Sequence, residues 1–264
     1  MKVYISTDLE GVAGVLLDSQ VGLRDESPAE YLKARHLLTK EVNAAVEGAL
    51  AAGADEVVVD DGHWRGFNLI FEELHPGARY LMGEARPDWL AALHEGFDAS
   101  FFIGCHAMAG TQGAVRDHTM SSAAYHNLWV NGKLMGEIGL WAAIAGHYGV
   151  PCVLVSGCAK ACEEAAALVP GLGTVVTKHG LSRYSALLEP AEKVQSMIRD
   201  QAQQALARAK SVQPYGVASP VEIKIEYNST GQADGVPILA GRERIDARTI
   251  AYRGRDVVEA FRLV

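Results

Sequence analysis

The chain has 264 residues, of which 49 % are hydrophobic and 21 % charged, a composition that excludes a disordered protein and suits one large domain or a main domain with an appendage. A formal net charge of −8 and a pI near 5.6 argue against a nucleic-acid binder, which should show a basic patch. No apolar stretch reaches the roughly 20 residues that span a bilayer, and Lys2 precedes only three apolar residues, not a signal-peptide core, so a cytoplasmic protein without membrane association is expected.

In chain order, Val3-Tyr4-Ile5 reads as a short buried strand that stops at Ser6-Thr7-Asp8-Leu9-Glu10-Gly11. After a mixed loop, Asp25-Glu26-Ser27-Pro28 reads as a helix start, with Ser27 as N-cap and Pro28 at the first helical position. Helical spacing over 29–52 places Tyr31, Leu37, Leu38, Val42, Ala45, Val46 and Leu50 on an apolar face, and Gly53 ends it. Glu56-Val57-Val58-Val59-Asp60 is a second strand, running into Asp61-Gly62-His63. Strand, helix and strand in that order predict a right-handed crossover in a parallel sheet.

Further on, 78–82 is a weak strand and Pro87 to Glu95 a short helix. The stretch 98–104 is a buried strand leading into Cys105-His106, followed by a loop rich in Gly, Ala, Thr and Ser that holds His118. Asn131-Gly132 between apolar runs predicts a tight type I′ hairpin. Glu137 then opens an apolar helix over 138–148. A strand at 150–156, a helix at 160–168, a strand at 173–178 and a long amphipathic helix at 190–210 follow. The tail changes character: 221–227 alternates as a half-exposed antiparallel strand, 244–252 is another strand and 255–263 a last helix. The pattern predicts an α/β fold, a three-layer αβα arrangement around a mostly parallel sheet, with a small C-terminal α+β part. We place the boundary at 211/212, separating a metal-binding catalytic domain from a β-β-α subdomain.

Asp8, Glu10, His63, His106 and Glu137 each stand at a strand end or a helix start, where open α/β sheets gather their ligand sites. Taken singly, each has an ordinary structural reading: a capping carboxylate, a core histidine, a first-turn glutamate favoured by the helix dipole. Taken together they read as one metal site. Two carboxylates held close need a proton or a cation between them. This donor set suits zinc, with manganese or cobalt as substitutes, and could hold two ions if one carboxylate is shared. Asp60 or Asp61 could orient the His63 ring. His118 is a candidate proton carrier. Its neighbours Arg116 and Asp117 read equally well as solvated charges. Lys178 and Arg183 flank a strand end and are candidates to hold a substrate carboxylate. Cys105, Cys152, Cys158 and Cys162 form no C-x-x-C pair and read as buried thiols of a reducing compartment.

Ser6-x-Asp8-x-Glu10-Gly11 closely resembles the signature of the M55 metallopeptidases, the D-aminopeptidase family. Asp60-Asp61-Gly62-His63, Gly104-Cys105-His106-Ala107, His118-Thr119-Met120 and Gly136-Glu137-Ile138-Gly139-Leu140 look like that family's later motifs, in the same order. The resemblance implies an aminopeptidase with two zinc ions per subunit that removes the N-terminal residue of short peptides, D-residues among them. It implies that Asp8 bridges the metals, that Glu10 and His106 complete one site and His63 and Glu137 the other, and that His118 is catalytic. It also implies a homodecameric ring. Two rival readings are an amidase or deacylase acting on non-peptide amides, and a non-catalytic peptide-binding component.

Overall fold

A computed structural model describes residues 1–22 and 27–264, so Asp25 and Glu26 of the expected helix start lie outside the described residues. Nine strands and helices of the first half and the middle follow the expected order. They are β1 (Lys2–Thr7), α1 (Pro28–Ala51), β2 (Glu56–Asp61), β3 (Arg79–Leu81), β4 (Ala99–Cys105), the hairpin β5 (Tyr125–Val130) and β6 (Lys133–Leu134), α2 (Glu137–His147) and β7 (Cys152–Cys158). Then come α3 (Ala159–Leu168), β8 (Gly173–Ser182), β9 (Ser185–Leu188) and α4 (Ala191–Ala207). The tail holds β10 (Val221–Tyr227), α5 (Thr230–Asp234), β11 (Arg242–Arg244), β12 (Thr249–Gly254) and α6 (Val257–Arg262).

The main sheet has seven strands in the order β3-β2-β1-β4-β7-β8-β9. All neighbours are parallel except β8 and β9. From β1 the chain steps one way to β2 and β3; from β4 it steps the other way to β7 and β8. Right-handed crossovers therefore put α1 on one face and α2 and α3 on the other, which makes the three layers. Helix α4 returns to the first face and packs on α1, where Gly48 lets the backbones close: a Cβ there would stand 2.3 Å from the Arg199 carbonyl oxygen. The reversal between β1 and β4 opens a crevice at their carboxyl ends.

A second, antiparallel sheet has five strands, β11-β12-β10-β5-β6. The tail strands thus share a sheet with the β5–β6 hairpin, which lies on the other side of the 211/212 boundary in sequence. Asn131 and Gly132 form its turn with φ of 47° and 80°, as a type I′ turn requires.

Three expectations change. No α-helix forms over Pro87 to Glu95; only a single turn of 3-10 helix remains at Leu93–Glu95, after Ala92 at φ 65°. Long-range anchors override local propensity there: Asp88 accepts from Nε and Nη2 of Arg262 and Trp89 packs on Phe261 with ring centroids 5.2 Å apart. The strand expected at 244–252 is instead a hairpin of β11 and β12, folded by Asp246, whose Oδ1 accepts the Arg248 and Thr249 amides at 2.8 Å. Strand β8 runs past Lys178 to Ser182, and β9, absent from the sequence reading, pairs back along it.

Candidate metal centre

Each candidate ligand arrives from the carboxyl edge of the main sheet or beside it. Asp8 and Glu10 follow β1, His63 follows β2, His106 follows β4, and Glu137 is the first residue of α2. The loop after β1 is pulled over β4: the Asp8 amide donates to the Ile103 carbonyl at 2.8 Å and the Gly11 amide to Gly104 at 2.7 Å. Gly11 must be glycine at this crossing, since a Cβ would lie 2.0 Å from the Cys105 carbonyl oxygen.

The six side chains converge as two groups of three. Asp8, Glu10 and His63 form one, and His106, His118 and Glu137 the other, with ligand atoms in each within 4.8 Å of one another. His63 Nδ1 stands 3.0 Å from both Asp8 Oδ1 and Glu10 Oε2. His106 Nε2 stands 3.0 Å from Glu137 Oε1 and 3.4 Å from Asp8 Oδ2. Asp8 therefore shows one oxygen to each histidine. The pairing differs from the family expectation: Glu10 goes with His63, and His106 with Glu137, because β2 sits beside β1 whereas α2 opens on the β4 side.

Each histidine is fixed by its remaining nitrogen. His63 Nε2 is 3.0 Å from the Val21 carbonyl, His106 Nδ1 is 3.0 Å from the Ala107 carbonyl, and His118 Nδ1 is 2.9 Å from the Arg116 carbonyl. A carbonyl only accepts, so the nitrogen facing it carries the hydrogen. The other nitrogen is then a lone pair aimed at a carboxylate, a repulsive arrangement unless a proton or a metal cation lies between. The acceptor that orients His63 is thus Val21, and neither Asp60 nor Asp61. Asp61 folds the loop behind His63, accepting the Asn68 and Leu69 amides at 2.5 and 2.8 Å, while Asn68 Nδ2 donates to the His63 carbonyl at 2.6 Å. Asp60 is paired with Arg86.

The electrostatics agree with a cation site. Burial, with Glu10 beside it, pushes Asp8 up to about 7. Burial also acts to raise Glu10, but His63 outweighs it and holds that carboxyl well below its usual range. Burial acts to lower His63 and His106, yet Glu10 and Asp8 hold the first well above the usual imidazole value, and Glu137 with Asp8 lifts the second to about 10. The carboxylates thus draw positive charge onto both rings. Asp8 Oδ2 and Glu10 Oε2 are buried without a hydrogen bond of acceptable geometry, despite the nearby imidazoles. Buried carboxylate oxygens in that state fit a metal, and the mixed nitrogen and oxygen donors fit zinc.

His118 is different. Its ring stacks on His106 with centroids 3.7 Å apart, and its Nε2 stays 3.7 Å from Glu137 Oε1. Burial, then the neighbouring His106 charge, lowers its basicity. It lines a cavity of about 420 Å³ together with Asp8, Glu10, His63, Glu137 and an outer wall of Trp64, Trp89 and Met120. Trp64 and Met120 hold φ of 43° and 58°, strain that non-glycine residues keep where the surroundings impose it, often at sites of function. The sequence reading did not single out either tryptophan; nothing local marks them.

Lys178 and Arg183 do not line this cavity. Lys178 is wholly buried and donates to the carbonyls of Glu10, Val12 and Val15 at 2.6, 2.8 and 2.5 Å. Arg183 pairs with Asp117 at 2.7 Å, and Arg116, itself buried, with Asp18 at 2.6 Å. The four cysteines are buried and free.

Comparison with known proteins gives concordant results. The model of a family of D-aminopeptidases, Peptidase M55, matches residues 1–264. A curated D-aminopeptidase of Bacillus subtilis (strain 168) is 32 % identical over 263 residues, covering 99 % of this chain and 94 % of that protein. Among solved structures, the zinc-dependent D-aminopeptidase DppA from Bacillus subtilis, described as a self-compartmentalizing protease, superposes with a TM-score of 0.94 at 30 % identity. That match covers 100 % of this chain and 95 % of that one.

Proposed function

Because the chain belongs to the M55 family of D-aminopeptidases, we propose that it is a zinc metallo-aminopeptidase that releases the N-terminal residue, D-residues included, from short peptides. The observation that carries this reading is the set of three histidines, each pinned to a backbone carbonyl and aiming its free nitrogen at Asp8, Glu10 or Glu137. Glu10 and His63 would hold one zinc and His106 and Glu137 the other, with Asp8 placed between the two pairs to serve both. When bound there, zinc would supply Lewis acidity and hydroxide at neutral pH.

The rest of the chemistry belongs to the chain. His118, neutral and anchored through Nδ1, takes and returns a proton at Nε2, ending with the leaving amine. Trp64, Trp89 and Met120 wall the cavity from bulk water.

The protein works as a homo-oligomer, a decamer by family resemblance, in the cytoplasm. Supporting the first, Leu181, Leu187 and Tyr184 stand 73 %, 68 % and 46 % exposed around the β8–β9 edge. Supporting the second are the four free thiols. No helix among the described residues is long and apolar enough to cross a membrane.

One experiment tests the reading. Protein purified without chelator is assayed for zinc by elemental mass spectrometry, and for release of the first residue from D- and L-alanyl dipeptides and from acyl amides. Close to two zinc per chain with peptide turnover is expected. Hydrolysis of acyl amides alone would make it an amidase, and tight peptide binding without products a binding protein.

A further inference from the structure

The loop after β1 carries two of the ligands and has no regular structure, yet it is buried from Thr7 to Ala13. It leaves β1, crosses β4 at Gly11, and reaches β8, with β7 lying between the last two in the sheet. Backbone groups buried in an irregular loop need partners from elsewhere. Here two consecutive side chains of β8 supply them. Thr177 Oγ1 donates to the Gly11 carbonyl at 2.5 Å. Lys178 Nζ donates to the carbonyls of Glu10, Val12 and Val15. An ammonium has three hydrogens, and three carbonyls at 2.5–2.8 Å use all of them. Both side chains are wholly buried.

We propose that Lys178, seconded by Thr177, is a positioning residue of the metal centre: it grips the backbone of Glu10 from below and so sets where the Glu10 carboxylate stands relative to Asp8 and His63. The inference rests on the metal reading given above. One bond falls on the Glu10 carbonyl itself, and the others fix the residues that follow, so Glu10 cannot swing without breaking the group. Lys178 is wholly buried and does not line the cavity, so it acts on the loop from the protein interior. Sequence placed Lys178 at a strand end as a candidate for substrate; the fold turns the same side chain inward. Groups that orient metal ligands from behind usually change metal affinity about 10- to 100-fold when removed.

The test is a zinc titration against a chromophoric chelator, run on metal-stripped wild type, Lys178→Met and Thr177→Val, with circular dichroism and thermal melts of the same samples. Lys178→Met keeps an unbranched side chain one heavy atom shorter and removes its donors. We expect it to retain the native spectrum and to bind zinc about 10- to 100-fold more weakly. Thr177→Val, which removes one bond at constant shape, shifts affinity in the same direction and by less. A purely structural lysine predicts something else: a lower melting temperature with wild-type zinc affinity in the folded protein, and that result overturns the proposal. Should Lys178→Met not fold, Thr177→Val decides, since unchanged zinc affinity there rejects the grip. Wild type that takes up no zinc at all rejects the metal centre itself, a failure distinct from equal affinity in all three proteins.

Discussion

Asp8 turns one oxygen to each of the two groups: Oδ1 lies 3.0 Å from His63 and Oδ2 3.4 Å from His106. Its removal should therefore empty both halves of the centre. Asp8→Ala is expected to retain less than one zinc per chain by elemental analysis; two full equivalents would show that Asp8 bridges nothing. His118 lies beside this group, its ring held by the Arg116 carbonyl and the stack on His106, with Nε2 3.7 Å from Glu137 Oε1. Its loss should leave the metals and remove a proton carrier. His118→Ala is expected to keep wild-type zinc and to lose about 10²- to 10⁴-fold in kcat, the usual range for a general acid or base. Undiminished turnover on a D-alanyl dipeptide would take His118 out of the chemistry.

At the scale of elements, the site depends on how closely one loop can lie on a strand. Gly11 meets the end of β4 with no room for a side chain, and its φ is not the issue; contact is. Gly11→Ala is expected to lower stability by at least about 1–3 kcal/mol, the cost of overpacking, and to weaken zinc binding because the loop must lift. A denaturant melt together with the zinc titration checks both, and an unchanged midpoint would mean that β4 yields without cost. The strands were legible because each is a local signal: Val57-Val58-Val59 and the run to Cys105 are buried in the middle of a parallel sheet and carry no polar alternation. The candidate ligands were legible for the same reason, as charged or imidazole residues where those runs stop. What stayed hidden depends on partners distant in sequence. Lys178 looks like any strand-end lysine until the loop of residues 10–15 is laid beside it, 163 to 168 residues away. Trp89 leaves its expected helix for a ring on α6. The division of ligands between the two groups follows strand order, which periodicity does not report.

For the whole molecule, the buried Glu41 on α1 is a liability that varies with pH. Burial pushes its carboxyl up to about 7, even though Oε1 accepts the Ala13 amide at 2.8 Å. A carboxyl whose folded value is raised stabilises the protein fully below its unfolded value, near 4.5, and that contribution is lost as pH rises through about 7. Glu41→Gln keeps an acceptor for Ala13 and cannot ionise. Relative to wild type it should gain stability progressively between those two pH values, by up to about 3 kcal/mol. Chemical denaturation at pH 5 and at pH 8 measures this; an equal difference at both would mean that Glu41 does not titrate there.

The reach of the loop from β1 to β8 also says when that loop can take its final shape. The first two ligands leave the ribosome within the first ten residues, whereas Thr177 and Lys178, which hold their loop down, follow more than 160 residues later. Until β8 is laid at the far side of β7, the loop that carries Asp8 and Glu10 is held to β4 alone, by the Asp8 and Gly11 amides. The loop that bears the first two candidate ligands is thus closed by one of the later strands of the main sheet, so its final shape is set only once the chain through β8 is in place.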